Sequence, residues 1–457
     1  MGPRSLLVVI AIVLVCAGCL SAQEIPGAVN PGAAKITTGQ PAALSYEQAV
    51  RLAIENNLAT LRAQERRNEA RGQQEQARAP LLPNVSGVAY QADLTMNLVA
   101  LGFQPGTFPG ISRTFLGPFK NFDARLFLTQ RVFDLSAIKN YQAGKAGVRV
   151  AELGEALARE QVASRTGLTY LEALRADRAV VAAQANVDLA QALLQLAQDQ
   201  RNAGVATGVD VTRAQTRLAE QQVGLAQAQT ESEQARLNLQ RIVGLPLGSP
   251  LTLTDRLQFV DEPLPSVETA VTQAARDRRE IQIAEEQNRV NQLELQAARA
   301  EHLPSLEVLG DYGSSGVTPD QFALPTRRVA VQLNVPIFNG GLTQGRVTAA
   351  ASRQRQTELE LSNIRGQVEE DVRLALTTLR TAAVQVQAAE ESVTLAQREL
   401  EMARDRFRAG VADNLEVITA QTTLANARVT QVTALAQHNA ARLNLAASLG
   451  RAETFRW

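Results

Sequence analysis

Hydrophobic positions along this chain switch between two periods. Val180, Val187 and Leu194 recur every seven residues, with Ala183, Ala190 and Ala197 three places later in each case. Val386, Val393, Leu400 and Phe407 repeat the arrangement with Ala389, Ala396 and Ala403. A strict seven-residue repeat marks coiled-coil packing, and alanine in one seam position lets neighbouring helices approach closely. Elsewhere the period falls to two. The run from Val329 to Val335 alternates apolar and polar residues, and Leu126-Phe127-Leu128-Thr129 is a weaker counterpart. Two more strands are expected after Pro83 and Pro304. No proline occurs between Pro118 and Pro246 or after Pro336, which leaves room for very long helices. One helix is expected from Leu135 to Arg201, about 100 Å long, with flanking helices at Ser45 to Arg78 and Val209 to Val243 of about 50 Å each. Two half-length helices end to end match one full-length helix, which predicts a tall wall rather than a globule.

The same order of elements occurs twice. Ser45-Tyr46-Glu47-Gln48-Ala49-Val50 aligns with Ser266-Val267-Glu268-Thr269-Ala270-Val271, and Leu82-Pro83 with Leu303-Pro304, at an offset of 221. Further on, Asn202-Ala203-Gly204-Val205-Ala206 aligns with Arg408-Ala409-Gly410-Val411-Ala412 at 206. The difference of 15 residues is assigned to a Gly/Pro/Phe-rich loop from Asn97 to Asn121. The expected organisation is a first repeat at 45–250, with strands near 84–95 and 122–132, and a second at 251–450, with strands near 305–313 and 327–335. A C-terminal tail, 451–457, follows.

An alternating strand has one oily face, and no second sheet or globular helix layer in this sequence is available to cover it. A lipid-facing barrel strand is the alternative, and four strands fall short of the roughly eight that close a membrane barrel. Several chains must then share one barrel. Beyond the N-terminus no apolar run approaches the roughly 20 residues of a membrane helix, which leaves a barrel as the route across a bilayer. A rod-like coiled coil of structural or adhesive function explains the heptads but not the strands.

Composition narrows the chemistry. The 46 Lys+Arg balance 46 Asp+Glu, so no basic footprint for nucleic acid is present. The two cysteines, Cys16 and Cys19, lie within the first twenty residues, and His302 and His438 stand far apart. A disulfide framework, a zinc site and a nucleophile with its base are therefore not expected, nor are a cofactor or an enzymatic activity. Arg4, the apolar run Leu6 to Val15 and the small residues after it read as a signal peptide, residues 1–22, followed by a flexible segment at 23–44. Ala17-Gly18-Cys19 suits acylation of Cys19; Ala22 before Gln23 suits ordinary cleavage.

Together these residues resemble the TolC-like outer-membrane efflux proteins. The resemblance is carried by Leu44-Ser45-Tyr46-Glu47-Gln48-Ala49 with Glu55-Asn56-Asn57, by Leu82-Pro83, by Val335-Pro336-Ile337-Phe338-Asn339-Gly340-Gly341, and by the two Ala-Gly-Val turns. It implies a homotrimer in which four strands per chain build a 12-stranded outer-membrane barrel on a helical periplasmic tunnel. It also implies partnership with a periplasmic adaptor and an inner-membrane pump, as the exit duct of an efflux pump or type I secretion system. Phe133-Asp134-Leu135-Ser136 lacks the glycine pair of the second copy, so the bend there departs from the pattern.

Candidate sites follow. Asp210 and Glu416, equivalent at the 206 offset, would ring the periplasmic mouth in a trimer, or serve as first-turn acids favoured by the helix dipole. Asp413 fits the second role better. Gly204, Val205, Ala206 and Gly410, Val411, Ala412 are the expected hairpin tips that meet the adaptor. Arg201, Arg406 and Arg408 are candidates to grip a partner or to sit on a solvated face. Arg125, Phe127 and Arg131 would face the lumen if Leu126 and Leu128 face lipid.

Overall fold

The computed structural model describes residues 42–103, 115–409, 411–412 and 414–456. The expected signal peptide, Cys19, most of the flexible lead, Gly410 and Asp413 lie outside them. In chain order the elements are β1 (Ala42–Leu44), α1 (Tyr46–Asn56), α2 (Leu58–Arg78), β2 (Asn84–Asn97), β3 (Phe115–Phe133), α3 (Leu135–Asn202), α4 (Gly208–Val243), β4 (Leu251–Leu253), α5 (Val267–Asp277), α6 (Arg279–Ala300), β5 (Ser305–Gly316), β6 (Leu324–Asn334), α7 (Leu342–Arg408) and α8 (Asn414–Ser448). The protein is mainly helical. Among the described residues no helix is long and apolar enough to cross a membrane.

One compact unit comprises Glu69–Val148 and Gln287–Thr357. Its sheet is antiparallel throughout in the order β2-β3-β5-β6, so β2 and β6 are its edges. Asn97 to Asn121, expected to be loop, is partly strand: β3 begins at Phe115, and Leu116 pairs with Met96. The sequence hid this because Gly117-Pro118 reads as a turn signal. A register shift between Leu94 and Met96 absorbs the irregularity, and Gly117, at φ +118°, lies so close to β2 that a Cβ there would stand 2.6 Å from the Leu94 carbonyl oxygen. Pro325 is the second residue of β6, at the end of the strand where a missing N–H donor disturbs the ladder least.

The two passages from strand to helix differ. After β6, Gly340 and Gly341 take positive φ of 66° and 84°, and the Asn339 amide bonds the Thr343 hydroxyl. After β3 no such turn exists, and Asp134 Oδ1 accepts the Ala137 N–H at 3.0 Å and caps α3 directly. The missing glycine pair in the first copy is thus replaced by a cap.

A second unit comprises the described residues of Pro31–Asn68 together with Arg149–Glu286 and Glu358–Trp457. The helix expected to run unbroken from Ser45 to Arg78 is two helices. Ser45 is the N-cap, exchanging hydrogen bonds with Gln48 in a capping box. Asn57 interrupts the run in an extended conformation, with its side-chain oxygen accepting the Ala59 N–H at 2.9 Å. A short polar side chain that bonds the nearby backbone competes with the helix ladder. Arg278 makes the corresponding break between α5 and α6.

Here β1 pairs in parallel with β4 over a core of Tyr46, Tyr170, Leu239 and Val243. The Tyr170 hydroxyl lies 2.7 Å from an Asp255 carboxylate oxygen that also accepts the Tyr46 N–H at 2.7 Å. Burial and this carboxylate push the Tyr170 phenol well above its ordinary pKa, so it stays protonated. Gly167 admits the Tyr46 ring and Leu443, since a Cβ there would sit 2.6 Å from the Leu443 methyl. The heptad seam of α7 is buried, with Val386, Ala389, Ala396, Leu400, Ala403 and Phe407 all in the core. Of the heptad positions in α3, Ala190, Leu194 and Ala197 are buried, whereas Val180, Ala183 and Val187 are half-buried.

Candidate functional site

The ends of α3 and α4 form the first expected tip. Gly204 adopts φ +78° and its N–H bonds the Arg201 carbonyl at 3.0 Å, while the Val205 N–H reaches Gln200 at 2.9 Å. Left-handed backbone at this position needs glycine and closes the helix. Val205 is left 62% exposed and Ala206 half-buried. At the second tip the Val411 N–H bonds the Arg406 carbonyl at 3.0 Å, Val411 is 72% exposed and Ala412 is half-buried. Gln200 Nε2 donates to the Phe407 carbonyl at 3.0 Å and so ties the end of α3 to that of α7.

Asp210 and Glu416 occupy the same place, the third residue of α4 and of α8. Asp210 completes a capping box with Thr207, accepting its N–H at 2.9 Å and its hydroxyl at 2.6 Å. Those bonds, the hydroxyl's first, hold the Asp210 carboxyl below its ordinary pKa. Glu416 lies 3.2 Å from Arg406, and Arg408 3.8 Å from Asp405. A groove of about 830 Å³ opens beside them, lined by Arg201, Val209, Arg213 and Arg217 with Leu415 and Ile418. Thr207, Arg213 and Arg217 were missed in the sequence reading, although the Thr-x-x-Asp spacing of a capping box is legible there.

On the sheet, strand alternation puts Leu126 and Leu128 on one face and Arg125, Phe127 and Arg131 on the other, as expected from their spacing. The second face carries an ionic ladder that sequence reasoning did not assemble. Asp311, 7% exposed, takes Arg125 Nη1 at 3.1 Å and Arg328 Nε at 2.8 Å, and Asp123 takes Arg125 through both oxygens at 2.6–2.7 Å. Gly313 makes room for this, since a Cβ there would stand 2.2 Å from that of Arg125. Arg131 pairs instead with Asp134 at 3.1 Å. The first face is apolar and uncovered, with Val85, Leu126, Val329, Val331 and Leu333 each more than half exposed.

Comparison with known proteins agrees with this architecture. The chain is 24% identical over 406 residues to the proteases secretion protein PrtF of Dickeya chrysanthemi, covering 86% of this chain and 85% of that one. It is 25% identical over 374 residues to the probable efflux pump outer membrane protein TtgC of Pseudomonas putida, covering 75% of each. Its fold matches the crystal structure of the Campylobacter jejuni CmeC outer membrane channel with a TM-score of 0.78 at 18% identity, over 89% of this chain and 86% of that one. The model of the outer membrane efflux protein family matches residues 49–245 and 266–451, nearly all of both helix-strand-strand-helix runs. The chain belongs to the outer membrane efflux protein family.

Proposed function

We propose that three copies of this chain form the passive exit duct of a tripartite efflux pump or type I secretion system. Each copy contributes β2, β3, β5 and β6 to a closed 12-stranded barrel in the outer membrane, and the long helices wall a tunnel through the periplasm. The observation that carries this reading is the four-stranded sheet, with two free edges and one uncovered apolar face. Such a sheet is unstable alone in water or lipid, and closure with other copies removes its edges. A purely structural coiled coil has no use for it.

The tips Gly204-Val205-Ala206 and Gly410-Val411-Ala412 dock a periplasmic adaptor. Exposed valines beside a groove with Arg201, Arg213 and Arg217 suit a helical hairpin with apolar and acidic residues. Asp210 and Glu416 ring the mouth and draw cations into it. Cys19 is the acylation site if the lipoprotein signal is used, and palmitate labelling decides this against an N-terminus at Gln23. The tip assignment is tested with Val205→Asp and Val411→Asp. Export and adaptor crosslinking should fall while conductance in planar bilayers persists. Unchanged export and crosslinking would reject the assignment.

A further inference from the structure

The apolar face of the sheet carries a cation with no acid as its register partner. Strand register puts Val329, Val331 and Leu333 on that face, and with them Arg327, two residues nearer the hairpin end of β6. Asp93 and Lys120, the other charged residues on it, are register partners of each other further toward that end. Arg125 and Arg328, on the opposite face, are both neutralised by Asp311. Arg327 is exposed, and among the described residues it makes no hydrogen bond or ion pair. Its register partner on β5 is Tyr312, 64% exposed on the same face.

A charged side chain on a lipid-facing surface is most costly at the bilayer midplane and nearly free at the interface. The position of Arg327 therefore marks the rim of the apolar band. From Arg327 to the exposed Ile337 is ten residues. At about 3.4 Å per residue and a tilt of about 40°, the seven-residue step from Arg327 to the end of β6 at Asn334 spans roughly 18 Å of an outer-membrane apolar band about 25 Å tall, and the exposed Val335 and Ile337 follow beyond it. The opposite ends of all four strands run into helices, so Arg327 lies at the outward rim. An aromatic hydroxyl beside an arginine is suited to that level, where the ring rests against acyl chains and the polar groups meet headgroups. A guanidinium there, unclaimed by any carboxylate among the described residues of its own chain, presents the two-pronged donor geometry that fits a phosphate.

We propose that Arg327, flanked by Tyr312, binds the phosphate of an outer-leaflet lipid. The proposal rests on the membrane reading above. Its ligand is a phosphate monoester carried on acyl chains, such as that of a phosphorylated lipid A.

The test uses the full-length protein, wild type and Arg327→Ala, purified in detergent and melted with increasing bisphosphorylated lipid A. Wild type should gain several degrees, and the variant less than half of that gain. Lipid A stripped of its phosphates, and inorganic phosphate alone, should raise neither melting temperature. An equal gain in both proteins, or an equal gain from the phosphate-free lipid or from inorganic phosphate, would overturn the proposal. Planar-bilayer conductance keeps the two readings apart. Both proteins should conduct, and a non-conducting wild type would strike the channel reading instead.

Discussion

Asp210 closes the first turn of α4 with its own side chain. Its carboxylate satisfies the Thr207 N–H and hydroxyl at the start of α4. Asp210→Ala should destabilise that turn by about 0.3–1 kcal/mol, the usual range for an acid in the first turn of a helix. Asp210→Asn, which keeps an acceptor, should cost less. Hydrogen exchange at the amides of residues 208–214 measures both. The pH dependence has a fixed sign. Because the folded pKa is depressed below the ordinary 3.8, the contribution is complete above that value and disappears as pH falls through the lower one. Ile337 and Phe338, 93% and 88% exposed, lie just past the end of β6, where the proposed barrel would meet the inward-facing membrane–water interface.

At the scale of elements, the segment between β4 and α5 is held on α8 by three successive contacts. His438 packs against Phe259 with ring centroids 4.8 Å apart, Asn439 Nδ2 donates to the Gln258 carbonyl at 3.0 Å, and Arg442 pairs with Glu262. Burial, and then the neighbouring Arg442, lowers the His438 pKa below 6.5, against weaker opposing pulls from Glu262 and Asp261. The unfolded chain then binds the proton more readily, so stability should decline as pH drops below about 6.5 and level off below the folded value. His438→Phe should flatten that decline in thermal unfolding; an unchanged slope would assign it to other groups. In the α7 seam, Leu400→Ala should cost about 2–5 kcal/mol. The exposed Leu395→Ala should cost less than about 0.5 kcal/mol by urea unfolding. Heptads and proline-free runs made α3, α4 and α7 legible because both signals extend over many turns. The breaks at Asn57 and Arg278 were not legible, since one extended residue leaves no mark on a periodic pattern. The start of β3 was hidden by Gly117-Pro118, and the Arg125–Asp311–Arg328 ladder joins three strands whose register no single sequence states.

At the scale of the whole molecule, the proposed assembly gives the sheet's two free edges and the acids at the tips their purpose through copies of the same chain. If Asp210 and Glu416 line the mouth, replacing both by Ala should lower cation preference and weaken block by multivalent cations in planar bilayers. Unaltered selectivity would reduce them to helix-start acids. The outer-membrane efflux family and the fold of its channels are established by the match over both halves of the chain. On the proposed reading, one chain is a third of the working object. Native mass spectrometry of the detergent-extracted full-length protein tests this most directly. The predicted result is a three-chain assembly that dissociates into unfolded or aggregating single chains when it is disrupted. A stable, water-soluble single chain with its full helix content would contradict the account, because its apolar strand face would then need neither lipid nor a neighbour.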